Sequence, residues 1–154
     1  MSRTVLLMRH GQGGPEHPSD PELSASGRAE VVSAARQLWL SAARPAFIAH
    51  SPLRRAVESA RLLASAWDTP PAVEAWPELA PDGVLLELFL RVDARLPAGQ
   101  TGLLLGHAPV LQAFFGSALF SAPEPRPWRT AELRRLHFPG PVRVGGGETA
   151  REPL

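Results

Sequence analysis

Thr4-Val5-Leu6-Leu7-Met8-Arg9-His10-Gly11 is the stretch on which the reading of this chain turns. The apolar run 5–8 has the length of a strand, and the Gly- and Pro-rich stretch 11–21 after it is too polar and too broken for regular structure. Residues 4–8 therefore read as the first strand of an α/β domain, with Arg9-His10-Gly11 at its carboxyl end. A histidine nucleophile with an arginine beside it, at such a strand end, is what a protein needs to take a phosphoryl group onto nitrogen. The bland alternative is an ordinary surface Arg-His pair.

Working outward, short apolar runs alternate with longer segments of helical period, which predicts βαβ units and a mostly parallel sheet. Ser24 or Ser26 can cap a helix reaching about residue 41, with Val31, Val32, Ala35, Leu38 and Trp39 at helical spacing. Residues 46–49 read as a second strand. Ser51 then reads as an N-cap and Pro52 as the first position of a helix to about residue 67. Residues 72–75 give a weaker third strand, 77–83 a loop, 84–95 a helix, 102–105 a fourth strand and 109–119 a last helix. The Pro-rich segment 122–127 reads as a connector, 130–138 as an edge strand and 142–144 as its pairing partner. The expected fold is thus α/β in three layers, a mostly parallel sheet flanked by helices with an antiparallel edge strand. Residues 1–144 form one domain, and 145–154 are expected to fray.

The 154 residues suit one domain with a sizeable core. There is no cysteine, so disulfide and thiolate chemistry are excluded, and a net charge of +1 does not argue for nucleic acid as a partner. No apolar run approaches the roughly 18 residues of a membrane span. The N-terminus enters strand-like sequence without a signal-peptide pattern, giving a cytoplasmic expectation. Every basic residue is arginine. An anion site here must use guanidinium groups, which stay charged and hold phosphate oxygens in a bidentate fork.

Three strand ends carry matching chemistry: Arg9-His10-Gly11, the segment His50-Ser51-Pro52-Leu53-Arg54-Arg55-Ala56 and Gly106-His107-Ala108-Pro109. Ligands of open parallel sheets bind outside the carboxyl ends of the strands, and two of these segments lead into helices whose N-terminal amides attract anions. Other readings stand beside this one. His107 can be a core histidine bonded to a backbone carbonyl, and Arg54 and Arg55 can be solvated helix residues. His10, His50 and His107 can be drawn as a zinc site, but no carboxylate accompanies them. His17 and His137 read as loop and strand-surface residues, and Ser59 as helix packing.

The order and spacing of these pieces, together with Leu23, Gly27 and Pro77-Glu78-Leu79-x-Pro81, resemble the histidine phosphatase superfamily, and within it the small, cap-less branch of SixA phosphohistidine phosphatases. The resemblance covers nearly the whole chain. It implies that His10 is the nucleophile, with Arg9, Arg55 and His107 around the phosphoryl group and no metal or cofactor. Neutral imidazole attacks phosphorus whereas imidazolium cannot. Arg9 and Arg55 are expected to keep His10 unprotonated by like-charge repulsion and to neutralise charge on the equatorial oxygens.

Ester hydrolysis also needs a general acid. Larger relatives use a glutamate after the third strand, and Glu78 occupies roughly that place, with Glu16, Asp20 and Asp82 as alternatives. A phosphoramidate bond eases the requirement, and the space between Glu78 and His107 holds one helix rather than a cap subdomain. The expected substrate is protein phosphohistidine, the partner a phosphorylated protein of the histidine phosphotransfer type. The alternatives are a small phosphorylated metabolite such as a sugar or nucleoside phosphate, or a non-catalytic phosphate-binding module.

Overall fold

The computed structural model describes residues 2–16, 19–41, 44–122 and 124–149. Strand β1 (Arg3–Arg9) is followed by helix α1 (Ala25–Leu40), β2 (Phe47–His50), α2 (Arg54–Ala64) and β3 (Ala72–Ala75). After a 3₁₀ turn (Pro77–Leu79) come α3 (Leu85–Arg95), β4 (Thr101–Gly106), α4 (Ala108–Ala118), β5 (Leu133–Phe138) and β6 (Glu148–Thr149). They form a six-stranded sheet in the order β3-β2-β4-β1-β5-β6. The pairs β2–β3, β2–β4 and β1–β4 are parallel; β1–β5 and β5–β6 are antiparallel.

The opening strand lies inside this sheet and is buried on both faces, as a continuous apolar run in a helix-covered sheet should be. Side chains alternate across a strand, so Val5 and Leu7 join the cluster that holds Phe47, Leu104, Phe114 and Leu88 from the α3/α4 side. Leu6 and Met8 join Ile48, Leu103, Val31, Leu38 and Leu63 on the α1/α2 side. Of the apolar positions expected on α1, Val31, Ala35 and Leu38 face the core, together with Ala34, while Val32 and Trp39 are exposed. Positions 31, 35 and 38 stack at i, i+4 and i+7; positions 32 and 39 are turned about 100° from them.

Three expectations need correction. Helix α2 begins at Arg54, with Leu53 as the capping position, and ends at Ala64. The Ser51 hydroxyl is engaged elsewhere, and the Arg54 N–H is instead satisfied by Asp20 Oδ1 at 2.9 Å. Second, β5 begins at Leu133, because Ala131 turns the chain with a positive φ of 58°. Its outer partner is Glu148–Thr149 rather than 142–144. Val142 donates its N–H to Asp93 Oδ1 at 2.9 Å, which turns that stretch toward α3. Third, the expected frayed tail is ordered through Thr149: Gly145 and Gly147 donate to the carbonyls of Ser117 and Ala118 before the chain enters β6. The residues from Ala150 onward, like His17, lie outside the described residues.

Candidate active site

The strand order β2-β4-β1 sets three carboxyl ends side by side, and this brings His10 and His107 together. His10 continues the ladder one residue past β1, its N–H donating to Gly106 O at 2.9 Å. The His10 and His107 rings meet edge to face with centroids 5.0 Å apart, both buried. The backbone beside His10 has no room for a side chain. A Cβ on Gly11 would stand 2.7 Å from Gly27 O and 2.9 Å from a Val31 methyl, so glycine is required where this loop crosses α1. The Gly11 N–H donates to Ser59 Oγ at 3.0 Å, and Ser59 in turn donates to Arg55 O. Ser59 is therefore a staple between the loop after His10 and α2, more than helix packing.

Hydrogen bonds define which ring nitrogen faces the pocket. His10 Nδ1 lies 2.6 Å from Gly11 O, so it carries the proton and donates it there. Its Nε2 is unprotonated, and its single lone pair accepts from Arg55 Nε at 3.1 Å. A terminal Arg55 nitrogen lies 3.5 Å from His107 Nδ1, and His107 Nε2 lies 2.8 Å from Ser51 Oγ. Arg55 thus stands between the two histidines. Arg54, its neighbour, points to solvent and pairs with Glu22.

Burial pushes the His10 imidazole down to about 4, with the charges of Arg55 and Arg9 adding to it, against the Gly11 carbonyl bond and Glu30. His107 is pushed down to about 3, again mainly by burial, then by His10, Arg55 and Arg9; Asp20 opposes the shift. Like-charge repulsion, the expected cause, is present but secondary. Both rings are neutral near pH 7. Arg9 reaches the Trp128 carbonyl through Nη1, and its charge acts on both histidines.

Glu78 is placed differently. Both its oxygens accept from Arg91 Nη1, at 3.1 and 2.8 Å, and the Arg91 guanidinium lies 4.6 Å over the Trp76 ring. Its carboxylate is thereby committed to α3. Asp20 is committed to the start of α2, and Glu16 and Asp82 are exposed. His50 Nδ1 turns to the carbonyl of Ser51 at 2.9 Å, and no group of three or more His, Cys, Asp or Glu comes together among the described residues. His137 sits on β5 against Thr4 Oγ1. One nearby carboxylate carried no signal in the sequence: Glu30 on α1 accepts from the Gln12 N–H at 2.9 Å and the Thr130 hydroxyl at 2.7 Å. Its partners are 18 and 100 residues away, beyond the reach of any local pattern.

Residues 5–80 match the family model of the histidine phosphatase superfamily, branch 1. No curated protein matches the chain by sequence. Among solved structures, the protein histidine phosphatase SixA complexed with tungstate superposes with a TM-score of 0.81 at 20% identity, covering 96% of this chain and 94% of that one. SixA of Nakamurella multipartitia gives 0.75 at 23% identity over 100% and 98%. A mycobacterial glucosyl-3-phosphoglycerate phosphatase complexed with VO3 gives 0.70 at 19% over 87% and 90%. At these identities the superpositions establish the fold. With the family match they define a class of protein: a phosphohydrolase. Over residues 5–80 the chain is similar to the histidine phosphatase superfamily.

Proposed function

We propose that this chain is a phosphatase that acts through a phosphorylated His10 and that its substrate is protein phosphohistidine. The observation that carries the first half is the state of His10. Its Nδ1 is tied to Gly11 O, its ring is neutral, and its Nε2 lone pair accepts from Arg55 Nε, a bond that Arg55 exchanges for the phosphoryl oxygens when substrate enters. In the first step Nε2 attacks phosphorus in line, and the bond to the leaving group breaks with its electron pair going to that group. In the second, water attacks phosphorus, the N–P bond breaks and its pair returns to Nε2. Arg9 and Arg55 supply positive charge for the phosphoryl oxygens, the role that dominates catalysis of phosphoryl transfer. No metal or cofactor enters this scheme.

The second half rests on Glu78 and on the chain between it and His107. A carboxylate held at both oxygens by Arg91 is ill placed to protonate a departing alkoxide, whereas a leaving imidazole needs such help least. Between the 3₁₀ turn and β4 there is one helix, so the rim stays open to a side chain still attached to a folded protein. Neighbours acting on phosphohistidine and on a small phosphate ester share the fold, and hydrolysis of small phosphomonoesters is the second reading.

The test is a substrate panel, run with and without EDTA, on wild type and His10→Ala. It includes a phosphorylated histidine phosphotransfer domain and p-nitrophenyl phosphate, with intact mass measured after rapid quench. Wild type is expected to clear the phosphohistidine and to trap an acid-labile phosphate that His10→Ala lacks. Fast turnover of the ester with none of the phosphoprotein would overturn the substrate assignment. Turnover abolished by the chelator would overturn the metal-free scheme.

A further inference from the structure

We propose that Ser51 is a positioning residue for His107: its buried hydroxyl accepts the proton on Nε2 and so leaves the Nδ1 lone pair facing Arg55. The assignment rests on the reading of His107 as part of the phosphoryl pocket, but its geometry stands on its own. Ser51 is fully buried, and His107 is nearly so. The two meet at 2.8 Å across 56 residues of chain.

The direction of this bond follows from what lies on the other side of the ring. A terminal Arg55 nitrogen is 3.5 Å from His107 Nδ1. Guanidinium offers donors only and does not lose its proton. If the Ser51 hydroxyl donated to Nε2, a neutral His107 would carry its proton on Nδ1, and two donors would face each other. With Nε2–H donating to Ser51, Nδ1 accepts from Arg55 and the conflict disappears. The ring nitrogen away from a hydrogen bond is set by the one that makes it.

Ser51 is held where it is by backbone, not by side-chain chance. Its N–H donates to Leu105 O at 3.0 Å, beside the end of β4 that also delivers His107. Its Oγ also accepts the Leu53 N–H at 3.2 Å, so the hydroxyl is pinned from the chain side while it receives the imidazole. This commitment explains why Ser51 does not cap α2. It also separates the two histidines functionally. His10 takes its tautomer from the adjacent Gly11 carbonyl and presents Nε2, while His107 takes its tautomer from another strand end and presents Nδ1, a proton acceptor.

The experiment reads the ring nitrogens directly. Long-range proton–nitrogen correlation at neutral pH on wild type, Ser51→Ala and Ser51→Thr reports the His107 tautomer, and kcat/KM is measured on the same samples with a phosphorylated histidine phosphotransfer domain. Wild type is expected to show His107 protonated on Nε2 alone. Ser51→Ala, which leaves a buried donor unpaired, is expected to mix the tautomers and lower kcat/KM by about 10–100-fold. Ser51→Thr, which keeps the hydroxyl, is expected to restore the single tautomer. A proton on Nδ1 in wild type overturns the proposal, even if Ser51→Ala fails to fold. So does an unchanged Nε2–H tautomer in a folded Ser51→Ala. Absence of turnover in wild type with an Nε2–H His107 would instead defeat the phosphatase reading and leave the Ser51 assignment standing.

Discussion

At the scale of single residues, the chemistry of this molecule lies in keeping two imidazoles uncharged among guanidinium groups. Burial does most of this for His10 and His107, and the cost appears in how stability varies with pH. The unfolded chain takes up a proton on His10 near pH 6.5, whereas folded His10 refuses it until about pH 4. Unfolding therefore binds protons between these values, and stability falls as the pH drops through that window. The contribution at pH 4 is on the order of 3 kcal/mol for His10 alone. Thermal unfolding followed from pH 7 to 4 should show Tm falling across this range in wild type and falling less steeply in His10→Asn. Equal slopes would mean that His10 is not the group refusing the proton.

The same residues show what sequence can carry. Arg9, His10 and His107 are visible because each lies within two residues of the end of an apolar run, and Arg55 is told from Arg54 through the family pattern. The structure places Arg55 between the imidazoles and Arg54 out against Glu22. Ser51 was visible too, but as an N-cap, since local propensity contains no term for a histidine arriving from β4.

At the scale of elements, boundaries shifted wherever a long-range partner outcompeted a local one. Asp20 supplies the N-terminal acceptor of α2 from a loop 34 residues earlier, so the helix starts three residues after Ser51. The 3₁₀ turn after β3 carries Glu78 into an ion pair with Arg91, itself stacked on Trp76. If Glu78 serves this arrangement and not proton transfer, Glu78→Gln should leave phosphohistidine turnover within about twofold. Its effect on stability should stay below about 1 kcal/mol, because the pair is partly exposed and surface ion pairs contribute little. Steady-state rates and denaturant midpoints measure the two effects. A Glu78→Gln enzyme that loses ester hydrolysis by two orders of magnitude or more would restore the general-acid role and favour small phosphomonoesters as substrates.

Over the whole molecule, short apolar runs such as 5–8 alternating with helical segments indicate a mostly parallel sheet covered on both faces. The antiparallel margin was harder to read, because 145–149 holds three glycines and two polar residues, which carry no strand signal of their own. What orders them is α4. Gly145 and Gly147 donate to carbonyls at the end of that helix, a Cβ on Gly147 would meet Ala118 and Phe138 at 3.2 Å, and Glu148–Thr149 then pairs with β5. Deleting residues 145–154 should therefore uncover β5 as an edge and free the end of α4, lowering Tm by several degrees. The site lies at the carboxyl ends of β1, β2 and β4, with β5 between those strands and the deleted one. So kcat/KM of the shortened chain, measured well below its Tm, should match that of the full chain. A shortened chain with unchanged Tm would mean that the packing of 145–149 against α4 and β5 adds nothing to the stability of the fold. A loss of turnover at full folding would place the C-terminal segment in the catalytic machinery.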